Sequence, residues 1–285
     1  MYLGFIVPRD LREVSYPELC AWAKGHGFAF VDTHKVLPDG GHVAAAAGLR
    51  PGVPTVTAPT ANEIFSADRK VRDGAVHTLI EYFEQASRQG ITVCLGMLNN
   101  VDPTITLAQN FDRFVMTWVP VVAAADRFGI RVALEPWFGW GSNLCYSPEM
   151  FQRVFAAFDS TALGLCFDPS HFVWMGIDHM RVLREFAPRI YHVHAKDTEI
   201  IADGLYEYGV LGRIFTERRR SSGWWRYRLP GYGVVNWRQV LAALSEHGYD
   251  GAISIEHEDP IYEGSEEKAQ RGLILAQRYL EPLIA

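Results

Sequence analysis

The feature that most constrains the fold of this chain is the regular alternation of short apolar runs with longer segments of helical periodicity. Eight runs have the length of a strand, at 3–7, 28–32, 55–58, 91–96, 130–135, 163–168, 190–194 and 252–256. Strands of this length between helices predict parallel βαβ units, and their near-continuous apolar character predicts a sheet covered on both faces. Eight such units in 285 residues predict a single (β/α)8 TIM barrel over residues 1–285, because that fold needs about 250 residues.

The segments between the runs have the period of amphipathic helices. Their predicted bounds are 15–26, 43–49, 68–89, 107–128, 148–158, 179–186, 237–247 and 266–280. Gly90, Gly129 and Gly248 stand directly after three of them, where a helix commonly ends. A doubly wound open sheet is the alternative architecture. It predicts a glycine-rich first turn, whereas the sequence after Val7 reads Pro-Arg-Asp-Leu.

One long segment interrupts the repeat between the seventh and eighth strands. Glu135 to Asp168 is 33 residues and Asp168 to His194 is 26, but His194 to Glu256 is 62. The excess lies at about 200–233, where no helical period is visible and aromatic and arginine residues are frequent. Long loops in compact domains are usually functional or disordered. This composition predicts an ordered insertion over the barrel mouth.

Charge and composition exclude several classes of protein. The net charge is −6 and the one basic cluster is Arg218-Arg219-Arg220, so nucleic acid is not an expected partner. No apolar run reaches the roughly 20 residues that a membrane-spanning helix requires. The four cysteines form no CxxC pair, and the N-terminus lacks the basic start of a signal peptide. We therefore expect a cytoplasmic protein.

Four consecutive predicted strands end in a carboxylate or an imidazole, at Glu135, Asp168, His194 and Glu256. The carboxyl ends of barrel strands meet at one rim, so these four side chains are expected to converge. Each residue alone is common at a strand end. Three converging carboxylates, however, repel one another unless a cation neutralises them. The set therefore predicts a divalent metal site.

The types of ligand restrict the metal. Three oxygen donors and one nitrogen, without a thiolate, favour Mn²⁺ and leave Mg²⁺, Co²⁺ and Zn²⁺ open. Such a site keeps positions for substrate oxygens, on which the metal acts as a Lewis acid.

Four segments carry a resemblance to a known family: Leu-Glu135-Pro-Trp137, Phe-Asp168-Pro-Ser-His171, His192-Val-His194-Ala-Lys196-Asp197 and Ser-Ile-Glu256-His-Glu-Asp. In order and spacing they resemble the metal-binding segments of the xylose isomerase-like TIM-barrel superfamily, in particular its sugar phosphate isomerase/epimerase branch. The resemblance extends over essentially the whole chain. It implies that the four strand-end residues are the metal ligands and that Glu135 and Glu256 are an acid–base pair across the substrate.

Further residues are assigned to the site on the same basis. His171 is expected to bind a substrate hydroxyl or to support the metal ligands. Lys196 is expected to polarise a carbonyl, with an ion pair at the rim as the alternative role. The candidate substrate-binding residues are His34, Trp137, His171, His192, Asp197, Trp225 and Arg228.

The chain also departs from its better-known relatives. Ketohexose epimerases carry a glutamate and an arginine at offsets that hold Gly141 and Ile200 here, so a different substrate is expected. The leading hypothesis is an isomerase or epimerase acting on a sugar, keto sugar or polyol through a metal-stabilised enediolate.

The second hypothesis is a lyase, either a 3-oxo-glycoside-cleaving (C-glycoside deglycosidase-like) enzyme or an inositol-type dehydratase. An aglycone could then stack on the aromatic loop 224–232.

Two minor hypotheses remain. One is an apurinic endonuclease-like enzyme, for which Asp32, His34 and His77 are the available extra ligands. The other is a non-catalytic partner subunit. The expected partners are a small sugar or glycoside and other subunits, in a homo-oligomer or a hetero-oligomer.

Overall fold

The computed structural model describes residues 1–57, 63–211 and 223–284. In these ranges the strands are β1 Tyr2–Ile6, β2 Val31–Asp32, β3 Val93–Gly96, β4 Arg131–Leu134, β5 Leu163–Phe167, β6 Ile190–Ala195, β7 Asp197–Ile200, β8 Trp225–Arg228 and β9 Ala252–Ile255. The helices are α1 Tyr16–Gly25, α2 Gly40–Ala46, α3 Arg69–Arg88, α4 Leu107–Phe128, α5 Pro148–Ala156, α6 Pro169–Met175, α7 His179–Phe186, α8 Ala202–Tyr208, α9 Trp237–Glu246 and α10 Glu266–Leu280. The Arg218–Arg220 cluster and Ala58 lie outside the described residues.

Seven strands form a sheet in the order β2-β1-β9-β6-β5-β4-β3, and β7 pairs with β8 in a separate two-stranded sheet. The third predicted strand is present as single bridges. Thr55 N donates to Thr33 O at 2.8 Å, and Leu95 N donates to Pro54 O at 2.8 Å. Proline has no N–H for a continuous ladder, which shortens the pairing here. Strands therefore alternate with helices as the predicted (β/α)8 fold requires, and the fold class is confirmed.

The contacts of the chain divide it into two compact units. The first consists of Met1–Val31, Asp168–Ala187 and Val193–Ala285. Within it β9 is the central strand, and β1 and β6 pair with it in parallel. Ile255 is in register with Phe5 on one side and with Ala195 on the other.

The insertion belongs to the first unit, and the sequence-based description of it was incomplete. Residues 202–208 form α8, although no helical period is visible there. A seven-residue helix makes too few turns for its period to be recognised. Strand β8 lies within the insertion and forms an antiparallel pair with β7, in which Thr198 is opposite Tyr227.

The second unit consists of Asp32–Phe167 and Pro188–His192. Within it β3, β4 and β5 are parallel, with Gly96 in register with Leu134, and Leu134 with Leu165. Helix α4 begins with a capping box between Thr106 and Gln109 and ends at Gly129, which has φ of 67°. Among the described residues, none of the helices combines the length and the hydropathy that a bilayer crossing requires.

Candidate metal centre

The strand ends of the first unit bring several polar side chains to one place. Because β6 and β9 are in register up to Ala195 and Ile255, the residues that follow them, Lys196 and Glu256, come out side by side. Asp168 precedes α6 and caps it, since its Oδ1 accepts a hydrogen bond from Ser170 N at 2.9 Å. We refer below to the strand-end cluster, which consists of Asp168, His171, Lys196, Glu256 and Glu258.

The ammonium group of Lys196 lies at the centre of this cluster and is 1% exposed. Its Nζ donates to Glu256 Oε2 at 2.6 Å and to Glu258 Oε2 at 3.3 Å, and it lies 3.1 Å from Asp168 Oδ2. Three carboxylates surround one ammonium group, and of these Asp168 is fully buried whereas Glu256 and Glu258 are half-buried. Buried charge of this kind is costly unless further cations compensate it.

Glu256 is held in its ionised form. Burial raises the pKa of its carboxyl group, but the charge of Lys196 and the contacts with His194 outweigh burial and hold the pKa well below its usual range. His194 Nδ1 lies 3.1 Å from Glu256 Oε2, and the imidazole is fully buried. The predicted ligands His194 and Glu256 are therefore neighbours.

The donor set fits a divalent metal. Asp168, His171 and Glu256 each offer a ligand atom, and these atoms lie within 4.8 Å of one another. Within the described part of the chain, Asp168 Oδ2 is buried and accepts no hydrogen bond, although Lys196 Nζ and His171 Nε2 are 3.1 and 3.2 Å away. A buried carboxylate oxygen without a hydrogen bond has its lone pairs available for a cation. Carboxylate oxygens with an imidazole suit Mn²⁺, Mg²⁺ or Zn²⁺.

Glu135, the remaining predicted ligand, belongs to the second unit. It follows β4 directly, its backbone N donates to Gly96 O at 2.8 Å, and it is 5% exposed. Asn143 Nδ2 donates to its backbone oxygen at 3.1 Å. The predicted strand-end position of Glu135 is therefore correct, and its role as a ligand stays a prediction.

Three other predicted site residues lie in the second unit. His192 Nε2 is 2.9 Å from Asp32 Oδ2, and both side chains are about 1% exposed. The other oxygen of Asp32 accepts from Val53 N at 2.6 Å, so the pair joins β6 to the end of β2 and to Val53. His34 and Trp137 are half-buried.

The predicted substrate-binding residues of the insertion are engaged with the protein itself. Arg228 Nε donates to Asp259 Oδ2 at 2.8 Å, and its guanidinium also contacts Glu199. Trp225 is 4% exposed and stacks on Trp174 with ring centroids 4.8 Å apart. These contacts fix the β7–β8 pair, and contact with a substrate stays a prediction for both residues.

Asp197 has a different environment from its neighbour Lys196. It is fully buried, and its oxygens accept from the backbone N–H groups of Thr198 at 2.8 Å, Val235 at 3.0 Å and Gly231 at 3.1 Å. Burial raises the pKa of Asp197, and these backbone hydrogen bonds lower it only in part. Asp197 therefore anchors the residues after β8, whereas its predicted contact with substrate stays a prediction.

Two residues in or beside the strand-end cluster were not among the site residues predicted from the sequence. Glu258 follows Glu256 by two positions, and that spacing in extended chain places both side chains on one side. This signal could have identified it. Tyr227 Oη lies 2.9 Å from His171 Nδ1, and Lys196 Nζ lies 4.5 Å from the centre of the Tyr227 ring. That contact depends on the pairing of β7 with β8, which the sequence pattern does not specify.

Comparisons with known proteins agree with this fold. Residues 20–279 match the family described as xylose isomerase-like TIM barrel. The uncharacterized protein YfiH of Bacillus subtilis strain 168 is 33% identical over 147 residues, which cover 50% of this chain and 45% of that protein. Inosose dehydratase of Geobacillus thermodenitrificans strain NG80-2 is 32% identical over 145 residues, covering 48% of this chain and 43% of the dehydratase. The matched segment thus spans less than half of either relative.

A solved structure shares the fold over the full length. The D-psicose 3-epimerase with D-tagatose from Clostridium cellulolyticum H10 superposes with a TM-score of 0.74. The superposition covers 100% of this chain and 99% of the epimerase, at 15% sequence identity. At that identity the similarity establishes the fold and not the reaction.

Proposed function

Because the chain belongs to the xylose isomerase-like TIM barrel family, we propose that it is a metal-dependent isomerase or epimerase acting on a sugar-like substrate. One observation carries this proposal. Three carboxylates and a buried ammonium meet in the strand-end cluster, where Asp168 Oδ2 accepts no hydrogen bond from the described residues. A site with surplus negative charge and open oxygen ligands is suited to a divalent cation and to moving a proton.

We assign the metal ligands to Glu135, Asp168, His194 and Glu256. When bound, a divalent metal stabilises negative charge on a substrate oxygen, and Mn²⁺ is our first choice with Mg²⁺, Co²⁺ and Zn²⁺ as alternatives. Glu135, Asp168 and His194 are buried and Glu256 is half-buried, which supports this assignment.

The proton is moved by the glutamates. Glu256 is ionised at neutral pH because its pKa is held low, and an ionised carboxylate can accept a proton from the carbon next to a carbonyl group. We assign to Glu135 the proton transfer on the opposite face of that carbon. In an epimerisation one glutamate takes the proton and the other returns one, so that the substrate keeps its composition. Lys196 is the cation placed to donate a hydrogen bond to a substrate oxygen.

The test measures proton removal directly. The purified protein is treated with a chelator, reconstituted separately with Mn²⁺, Mg²⁺, Co²⁺ or Zn²⁺, and incubated in D₂O with keto sugars, polyols and oxidised glycosides. We expect deuterium at a carbon next to a carbonyl, detected by proton NMR, only with metal present. Asp168→Asn should lose metal and exchange, whereas Asp178→Asn, at an exposed helix cap, should retain both. Absence of bound metal and of exchange for every substrate would overturn the proposal.

A dehydratase is the second candidate, and the similarity to inosose dehydratase favours it. After the same proton removal, the bond from the next carbon to its hydroxyl oxygen breaks, a carbon–carbon double bond forms, and the hydroxyl leaves as water after taking up a proton. The product of an epimerase has the mass of its substrate, whereas that of a dehydratase is lighter by one water. Mass spectrometry of the same reactions distinguishes the two.

A further inference from the structure

We propose that the outer face of helix α4, in the second unit, is an interface that pairs with the same face of a second copy of this chain. Three features of the helix point to this partner: the apolar character of its exposed residues, the symmetry of their order, and the charges at the two ends. The pairing goes beyond the proposed function and does not depend on it.

The exposed residues in the middle of α4 are all apolar. Between residues 113 and 125 the exposed side chains are those of Met116, Val119, Pro120 and Ala123. Met116 is 70% exposed and Val119 is 56% exposed. Helix α3, which packs against α4, exposes mainly charged and polar residues, among them Arg69, Lys70, Asp73, His77 and Glu81. Contiguous apolar residues on a protein surface mark a site of association, so the outer face of α4 indicates a partner.

These side chains are also suited to being covered by a partner. Alanine and proline lose no rotamer entropy on burial, and valine is already restricted at χ1. Pro120 lies inside the helix, where its missing N–H removes the helical donor of the Met116 backbone oxygen. A rigid apolar ring at this position costs the free chain stability, whereas it presents a preorganised surface to a second molecule.

The order of residues on this face is symmetric about the point between Val119 and Pro120, which we call the midpoint. At 3.6 residues per turn, a stripe of about 100° along α4 contains Asp112, Met116, Val119, Pro120, Ala123 and Arg127. In a twofold interface, residue i contacts residue j of the other copy and j contacts i. Two copies of α4 that lie antiparallel at a shallow angle about the midpoint therefore place Met116 opposite Ala123 of the partner subunit, so that a long side chain meets a small one.

The charges at the two ends of the stripe complement each other in the same arrangement. Asp112 precedes the midpoint by as many residues as Arg127 follows it, and both side chains are exposed. Among the described residues neither makes an ion pair within its own chain, and the Arg127 guanidinium lies 4.3 Å from the centre of the Phe128 ring. An antiparallel pair joins Asp112 to Arg127 of the partner subunit at both ends, whereas a parallel pair would join like charges. Charge complementarity therefore favours a second copy in the antiparallel orientation.

The first experiment measures the mass of the full chain in solution by analytical ultracentrifugation, without metal or substrate. We expect the wild type to have the mass of at least two chains of 32.1 kDa. Val119→Arg places a charge at the centre of the interface and should reduce this mass by half. Val234→Arg is the matched control, since Val234 is also 56% exposed but lies in the first unit, and it should keep the wild-type mass.

A monomeric wild type, or a Val119→Arg variant with the wild-type mass, would overturn the proposal. A face that binds a different protein would give the first of these results. Because the measurement uses no substrate, failure of the proposed function leaves its outcome unaffected.

The second experiment tests the orientation by exchanging charges. Asp112→Arg and Arg127→Asp each place like charges opposite each other at both ends of an antiparallel pair, so each variant should associate about tenfold more weakly than the wild type or worse. An equal mixture of the two variants restores opposite charges at both ends and should recover the wild-type mass. Recovery in the mixture also shows that both variants are folded.

Single variants that associate as the wild type does would indicate a parallel pair or a different interface and would contradict the antiparallel pairing. Two folded variants, as judged by circular dichroism, that stay monomeric when mixed would contradict it as well.

Discussion

Lys196 and Asp197 are consecutive in the chain, but they belong to two regions in which buried carboxylates are satisfied in opposite ways. Around Asp197 the donors are backbone N–H groups of Thr198, Gly231 and Val235. Around Glu256 they are side chains, with Lys196 at 2.6 Å and His194 at 3.1 Å. Backbone donors cannot leave without unfolding the loop, whereas side-chain donors can rotate away and give up their place to a cation. Burial of an acid is therefore a poor guide to function, and the nature of its donors is a better one.

The pKa of the carboxyl group is also shifted in opposite directions in the two regions. Burial raises the pKa of Asp197, because three neutral N–H groups compensate the lost hydration only in part. The pKa of Glu256 is held well below its usual range, because burial is outweighed by a full positive charge nearby. The first arrangement suits an anchor, and the second suits a group that exchanges protons or metal.

Among the variants that distinguish the two regions, Glu256→Gln is expected to have the largest effect on activity. This variant removes the charge that we assign to proton transfer and metal binding, so kcat should fall by roughly 10² to 10⁴-fold and bound metal should be lost. Glu135→Gln should lower kcat to a similar extent. Steady-state kinetics and elemental analysis of the purified variants give the two values. Wild-type turnover in either variant would contradict the assigned roles.

Asp197→Asn should act on stability instead. The amide replaces one acceptor oxygen by a donor that faces backbone N–H groups, and a buried donor left unsatisfied costs about 1–3 kcal/mol. We expect the free energy of unfolding, measured in urea, to fall by that amount while the affinity for Mn²⁺ is retained. Asp178→Asn controls for the loss of a carboxylate elsewhere. If Asp197→Asn loses metal without losing stability, the contrast between the regions is wrong.

Lys196→Met tests whether the side-chain donors of the strand-end cluster compete with a metal. It removes the cation that contacts carboxylate oxygens of Asp168 and Glu256, which are proposed metal ligands. Two positive charges about 4 Å apart repel each other by several kcal/mol even at an effective dielectric constant of about 20. Mn²⁺ should therefore bind about tenfold more tightly or better, as measured by isothermal titration calorimetry. Lys196→Arg keeps the charge and should show no such gain. Equal affinities in the two variants would mean that Lys196 does not compete with the metal.

The smallest effect is expected from Trp225→Phe. The smaller ring keeps part of the stack on Trp174, so the free energy of unfolding should fall by only about 1 kcal/mol. The Michaelis constant for an identified substrate then tests the contact predicted from sequence. A change of more than about twofold would support that contact, and an unchanged value would leave Trp225 with a structural role alone.

The fold was largely predictable because each barrel strand is buried on both faces and therefore appears as an apolar run. The apolar runs also gave the strand-end positions of Glu135, Asp168 and Glu256 correctly, and chain direction decides which end of a parallel strand lies at the rim of a barrel. The pairing of β7 with β8 depends on contacts distant in sequence and has no such local signal. For that reason the contact of Tyr227 with His171, and the internal bonds of Arg228 and Trp225, could not be derived from the pattern. The short helix α8 was missed because its seven residues show too little periodicity.

The close succession of Lys196 and Asp197 also limits how this chain can be altered. Gly233 has no room for a side chain, since a Cβ would overlap Asp197 Oδ1 and Thr198 O. Successive side chains of an extended chain point to opposite sides. Deletion or insertion of one residue between Ala195 and Thr198 would therefore exchange the sides on which the lysine and the aspartate lie. The ammonium group of Lys196 would then face the backbone N–H groups of the loop, and the carboxylate of Asp197 would lie among the acidic residues of the strand-end cluster. Loop grafts between relatives should therefore keep the number of residues between Ala195 and Thr198 unchanged and begin beyond Thr198.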